Sequence, residues 1–231
     1  MKFLTICTFL ILSGTLANAA SSVDDKEKFL ITVTRFESAI LKLNKKIDKQ
    51  KATRLGTLIA IESKKRNIDP RVFLAIIDRE SSFNQKALGK NLDKKTKKVL
   101  SVDVSLAQIN SKSWCPVRFK KNTGKDLDVK KLKENDAYAI WAMGEILSFL
   151  KKSDQKLKKH DKWWFANYHS FTPEIKHLYI SDLCKSFKRL KPYGKNLLKD
   201  MPEVTKLAGL YLEKNKVELA SSNGGMYESK D

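Results

Sequence analysis

Asn67-Ile-Asp-Pro-Arg-Val-Phe-Leu-Ala-Ile-Ile-Asp-Arg-Glu-Ser-Ser-Phe83 is the stretch around which the chain is organised. It has the marks of a helix with a defined start. Asp69 can accept from the free amides of the first turn, and Pro70 fits a position where no amide donor is needed. Val72, Phe73, Ile76 and Ile77 then recur at helical spacing and form one apolar face. Val72, Ile76 and Glu80 are four residues apart, so they lie in one row and the row ends on a carboxyl group. Desolvation and the negative end of the helix dipole both disfavour a charged side chain there. A carboxyl group that holds its proton in such a place suits a general acid. The plainer alternative is a helix that ends near Asp78 and leaves Glu80 in water, as most lone glutamates are.

The chain has 231 residues, 42% of them hydrophobic, and a formal charge of +20. That suits one globular domain with extensions. Residues 1–19 have the form of a secretory signal: Lys2, an apolar run from Phe3 to Leu12, and the small-x-small site Ala17-Asn18-Ala19. The run is too short to span a membrane, so no transmembrane anchor is expected. Cleavage after Ala19 would deliver the chain to the periplasm or the exterior. The basic excess implies an acidic partner surface, and export favours a carboxylate-bearing wall polymer over nucleic acid, for which charge is the only signal. Simple solubility is the competing explanation of the lysines. Cys115 and Cys184 remain after the signal, either a pair that a disulfide would join or two free thiols. No CxxC or HxxxH spacing marks a metal site. Neither a metal nor a cofactor is expected.

The rest of the pattern is mainly helical. Residues 24–52 carry an apolar stripe (Phe29, Val33, Phe36, Ile40, Leu43, Ile47), and Arg54 to Arg66 forms a second helix. Gly89 and Asn91 mark a turn, and Val99, Val102 and Val104 one arm of a small hairpin. Asn135 or Asp136 caps a strongly apolar helix around Ala142, Met143 and Gly144. Further helices are expected at 161–168, at 174–187 and from Pro202 to about Lys214, with a polar tail after it. The organisation is a signal (1–19), an N-terminal helical extension (20–54), a helical domain with one small β-hairpin (55–200), and a C-terminal helix with a disordered tail (201–231).

Four pieces in order resemble the catalytic domain of soluble lytic transglycosylases, a family related to goose-type lysozyme. They are the helix ending in Glu80-Ser81-x-Phe83; Ser101-x-Asp103-Val104-Ser105-Leu106-Ala107-Gln108-Ile109-Asn110, similar to that family's Gly-Leu-Met-Gln segment; the helix around Ala142–Leu147; and Ala166-Asn167-Tyr168-His169-Ser170, with Tyr179 after it. The resemblance covers residues 55 to 187. It implies a mainly α, lysozyme-like domain acting on peptidoglycan glycan strands as a monomer, with no nucleic-acid partner.

By the same resemblance Glu80 is the single acid/base that cleaves the bond between N-acetylmuramic acid and N-acetylglucosamine. Ser81 and Gln108 hold the sugar, Tyr168 orients Glu80 or the acetamide, and Asn110, His169 and Tyr179 complete the substrate contacts. One carboxylate suffices when the sugar's own acetamide is the nucleophile, whereas most glycosidases need a pair. Asp103 is a candidate for a second carboxylate, set against a plain turn or hairpin role. Three residues depart from the family pattern: Ser105 for glycine, Ala107 for methionine and His169 for asparagine. Ala107 opens space that would suit modified glycan, for example one lacking acetyl groups, where water would take over the attack. The alternatives are therefore a hydrolytic lysozyme on the same bond and a glycan-binding domain that does not cut.

Overall fold

The computed structural model describes residues 25, 27–158 and 160–198. The chain divides into two compact units, one of which is 33–198. Of the other, residues 25 and 27–32 are described and helical. The expected signal, last helix and tail lie outside the described residues.

Unit 33–198 opens with helix α1 (33–43), followed by α2 (Lys49–Arg66) and α3 (Pro70–Ser81). The single helix expected over 24–52 is broken at 44–48. Asn44 turns its side chain on the backbone there: Oδ1 accepts from Lys46 N at 2.9 Å and Nδ2 donates to the Ser82 carbonyl at 2.8 Å. Asp48 then caps α2 by accepting from Lys51 N. α3 starts as its sequence dictates, with Asp69 accepting from Arg71 N at 2.9 Å and Pro70 in the first turn.

α3 is the innermost helix. Phe73, Leu74, Ala75, Ile76 and Ile77 are all fully buried. α2 and α7 (Pro173–Leu190) pack against it, and α6 (Asp136–Lys156) packs on α2. α6 begins at the expected cap, Asn135, whose side chain accepts from Tyr138 N at 3.0 Å. The residues read as an extension contribute to this core: Phe36, Ile40 and Ala52 are fully buried. Two short helices, α4 (Pro116–Thr123) and α5 (Val129–Glu134), pack on α6 and carry too few apolar residues to be read from periodicity.

The β excursion is a three-stranded antiparallel sheet rather than a lone hairpin: β1 (Leu88–Leu92), β2 (Val99–Val104) and β3 (Ile109–Asn110), in that order. Gly89 and Asn91, expected in a turn, lie in β1, where they pair with Asp103 and Ser101. The segment 161–168 is a 3-10 turn from Trp164 to Tyr168, and α7 runs from Pro173 to Leu190, three residues beyond its expected end.

Of the two alternatives left open for Cys115 and Cys184, the structure has the free thiols. Cys115 precedes α4, which packs on α6, whereas Cys184 sits on α7, which packs on α3, so they belong to different layers.

α7 is tied to α3 by a polar knot around the buried Asp78 carboxyl. Ser186 Oγ donates to Asp78 Oδ2 at 2.5 Å, and Arg189 pairs with the same oxygen while donating to the Leu43 carbonyl at 2.8 Å. Burial outweighs these partners and raises the Asp78 carboxyl above its ordinary range. A raised folded-state value means that the Asp78 contribution to stability is fully present at low pH. It is lost as pH rises through that value. The Tm of the wild type minus that of Asp78→Asn should therefore fall as pH is raised through the acid range, in calorimetric melts. A flat difference would mean that the carboxyl is not perturbed.

Candidate active site

Glu80 sits on the last turn of α3, and its side chain is only 11% exposed. The row predicted from spacing is present: Val72 and Ile76 are buried and Glu80 ends it. The helix stops one residue later because Ser82 takes a left-handed conformation, φ 50°. Glu80 thus opens at the edge of the core onto a cleft of about 210 Å³. The sheet residues Asn91, Asp103 and Asn110, with Gln108 of the β2–β3 turn, form one wall; Tyr168, His169 and Ile175 are on the helical side.

Glu80 Oε1 is buried and has no hydrogen-bond partner, and the same is true of the Tyr179 hydroxyl. His169 Nδ1 lies 3.5 Å from Glu80 Oε1, and the His169 ring stacks on Tyr179 at 4.5 Å and 9°. Burial first, and then the Glu80 charge, holds the Tyr179 hydroxyl well above the ordinary phenol range. Tyr179 is therefore a neutral donor close to Glu80, with geometry that stops short of a completed bond. His169, expected as a substrate contact, is brought beside the carboxyl itself. A buried carboxyl oxygen with no fixed bond keeps its hydrogen-bonding capacity for a ligand in the cleft.

The other expected contacts fall into two groups. Gln108 lines the cleft, but its Nε2 donates to the carbonyls of Ala87 (3.0 Å) and Ser105 (2.9 Å), which leaves Oε1 as its free polar atom. Asn110 also lines the cleft, yet its side chain is saturated. Nδ2 donates to Ser101 Oγ and Asp103 Oδ1, while Oδ1 accepts from Lys112 N and Ser113 N. Ser81 does not line the cleft, because Ser81 Oγ donates to the Leu106 carbonyl at 2.6 Å and locks the helix end to the β2–β3 loop. Tyr168 Oη donates to the Ala107 carbonyl at 2.7 Å, so it fixes that loop rather than touching Glu80. Burial, then the Glu80 and Asp103 charges, keeps this hydroxyl protonated well above the usual range.

Asp103 is a strand residue facing the cleft, where Asn91 Nδ2 donates to Oδ2 at 2.8 Å and Asn110 Nδ2 to Oδ1 at 2.7 Å. The signal for it was the two-residue alternation of β2, which puts Ser101 and Asp103 on one face. Gly89 makes room for this wall, since a Cβ there would come within 3.0 Å of Gln108 Oε1 and 3.2 Å of Asp103 Oδ2. Among the described residues, no cluster of three or more His, Cys, Asp or Glu is arranged to hold a metal ion.

Ser105 occupies a left-handed conformation, φ 70°, so the turn keeps the shape that glycine favours although the residue is serine. Its side chain returns only a long contact, accepting from Ala107 N at 3.4 Å. Ser105→Gly should raise stability by about 1 kcal/mol, read as an increase in Tm, through relief of that strain. A fall in Tm would show that the hydroxyl matters more than the backbone.

A helical domain in which a helix end carrying a buried glutamate faces a cleft walled by a small antiparallel sheet has a lysozyme-like fold. Residues 57–166 match the family model described as transglycosylase SLT domain, and the chain carries a domain of that family. It is thus an enzyme of the peptidoglycan lytic transglycosylase type. The match includes Glu80, Gln108 and Asn110 and stops just before Tyr168, His169 and Tyr179. No curated protein and no solved structure matches the chain. Among the described residues no helix is long and apolar enough to cross a membrane.

Proposed function

We propose that the protein is an exported lytic transglycosylase that cuts the β-1,4 bond between N-acetylmuramic acid and N-acetylglucosamine, with Glu80 as its only acid/base. The observation that carries this reading is the Glu80 carboxyl, 11% exposed, with Oε1 partnerless at the floor of the cleft. In the first step Glu80 gives its proton to the glycosidic oxygen as the C1–O bond breaks, and the acetamide oxygen of the muramoyl residue bonds to C1. In the second, the Glu80 carboxylate takes the proton of the 6-hydroxyl, O6 attacks C1, and the acetamide is released unchanged. The product is a 1,6-anhydro end, no water is consumed, and Glu80 regains its proton. The Tyr179 hydroxyl and His169 Nδ1 are near enough to steady Glu80 while it is charged. Gln108 Oε1 is available to accept from a sugar hydroxyl or amide. Export rests on the signal-like residues 1–19, and the wall polymer, with its carboxylates, complements the formal charge of +20.

One observation favours a second reading, hydrolysis. Asp103 shares the cleft with Glu80, held there by two amide donors, and is the carboxyl group placed to receive a proton from water. Mass spectrometry of products from purified peptidoglycan separates the two, because an anhydro end is lighter by one water. Anhydro products that persist in Asp103→Asn support the first reading. Reducing ends that vanish in Asp103→Asn support the second.

A further inference from the structure

At the other end of α3 from Glu80 lies a cavity of about 360 Å³ that shares no lining residue with the cleft. We infer that this cavity is a second peptidoglycan-binding site, which takes a sugar face together with a carboxylate of the peptide stem. The inference rests on peptidoglycan being the polymer acted on.

Trp163, Trp164 and Phe187 supply its aromatic wall. They are held in edge-on contacts: Trp163 to Phe187 at 6.1 Å and 65°, and Trp163 to Phe165 at 5.6 Å and 67°. Trp164 meets Phe165 at 5.6 Å and 87°. A wall locked in this way presents flat faces to a ligand at little cost in side-chain entropy. Both tryptophans keep part of their surface in solvent, so the wall is open to a ligand.

The charge around the wall is positive. Arg71 and Asp69 neutralise each other through a forked pair. Lys162 and Lys151 are left as excess cations. Lys162 Nζ stands 5.6 Å from the centre of the Trp163 ring, and Lys151 spends one donor on the Asn67 carbonyl at 2.6 Å, keeping two free. Flat aromatic faces beside free ammonium groups match a saccharide that carries carboxylates. Bare neutral glycan would satisfy only the aromatic half. Glu80 and Arg71 are nine residues apart on one straight helix, about 14 Å along its axis, so both sites can be filled at once. Holding the polymer at the second site would raise its effective concentration at the first.

The test is pelleting with purified sacculi in a Glu80→Gln background, where the polymer stays intact. Lys162→Glu should weaken binding about five-fold or more, whereas Lys130→Glu, the same charge change on α5, should not. Converting the carboxylates of the sacculi to amides with carbodiimide and ammonia, which leaves the cross-linked polymer able to pellet, should erase the difference between Lys162→Glu and the unsubstituted protein. With Glu80 restored, Lys162→Glu should leave turnover of a short soluble muropeptide unchanged and raise KM on sacculi. Equal weakening by Lys162→Glu and Lys130→Glu, or a Lys162→Glu effect that persists on amidated sacculi, overturns the site. Failure of the wild type to cut any peptidoglycan would instead overturn the enzyme reading, and the pelleting result would still report on the site.

Discussion

Glu80→Gln should lower the turnover of purified peptidoglycan by about 10³-fold while leaving binding and Tm almost unchanged. Glutamine has the same shape, so the row Val72–Ile76–80 and the end of α3 are undisturbed. What is lost is the proton that must reach the glycosidic oxygen. Tyr179 cannot replace it, because burial, which the substitution leaves in place, raises its hydroxyl well above the ordinary phenol range. Tyr168 is committed to the Ala107 carbonyl. His169 faces Glu80 rather than standing clear of it, at 3.5 Å, so it is placed to assist the carboxyl and not to substitute for it. The loss should therefore appear in kcat with KM preserved. Glu80→Asp keeps the proton but withdraws it by one methylene, and it should retain more activity than Glu80→Gln. Cleavage that survives Glu80→Gln would sink the single-acid reading and turn attention to Asp103. If the wild type itself cuts no wall preparation and yet binds, the domain grips glycan without cleaving it.

Arg66→Met should destabilise the fold by about 3–5 kcal/mol. The Arg66 side chain is 8% exposed and stands between two carboxylates, Glu62 at 2.7 Å and Glu145 at 3.0 Å, which are themselves only 13% and 15% exposed. Its guanidinium also donates to Ser148 at 3.3 Å. Removing the cation leaves two poorly hydrated carboxylates facing each other, one from α2 and one from α6. The space for the guanidinium comes from Gly144, where a Cβ would lie 2.4 Å from Arg66 Nε. Gly144→Ala should therefore destabilise as well, although alanine is the better helix former in isolation. Thermal or urea unfolding of both variants checks this. A Gly144→Ala protein as stable as the wild type would mean that Arg66 can vacate its seat without cost.

Gly144 shows where sequence reading stops. In the apolar pattern of 136–156 it is only a weak point in a helix. Its reason lies on another element, far away in the chain. The same holds at the cleft. Asn110 looked like a sugar contact because it closes a Gln-Ile-Asn segment, but its four side-chain bonds are spent on the sheet and the next turn. Ser81 beside Glu80 looked equally suited, yet its hydroxyl serves the Leu106 carbonyl. Hydrogen-bond capacity is finite, and only the packed chain shows who consumes it. The break at 44–48 was hidden for a similar reason, since the Asn44 amide gains a partner, the Ser82 carbonyl, from a distant helix end.

Local signals, by contrast, were enough for the starts of α3 and α6, because Asp69-Pro70 and Asn135 act on amides within three residues of themselves. They were enough to put Glu80 at the end of an apolar row, since helical spacing is a property of the chain alone. Tertiary structure decided the rest: that the row is buried, that His169 and Tyr179 arrive beside the carboxyl, and that Asp103 faces it across the cleft. Those meetings depend on how α7, the 3-10 turn and the β2–β3 turn come together at the end of α3, and no spacing along a single element encodes them.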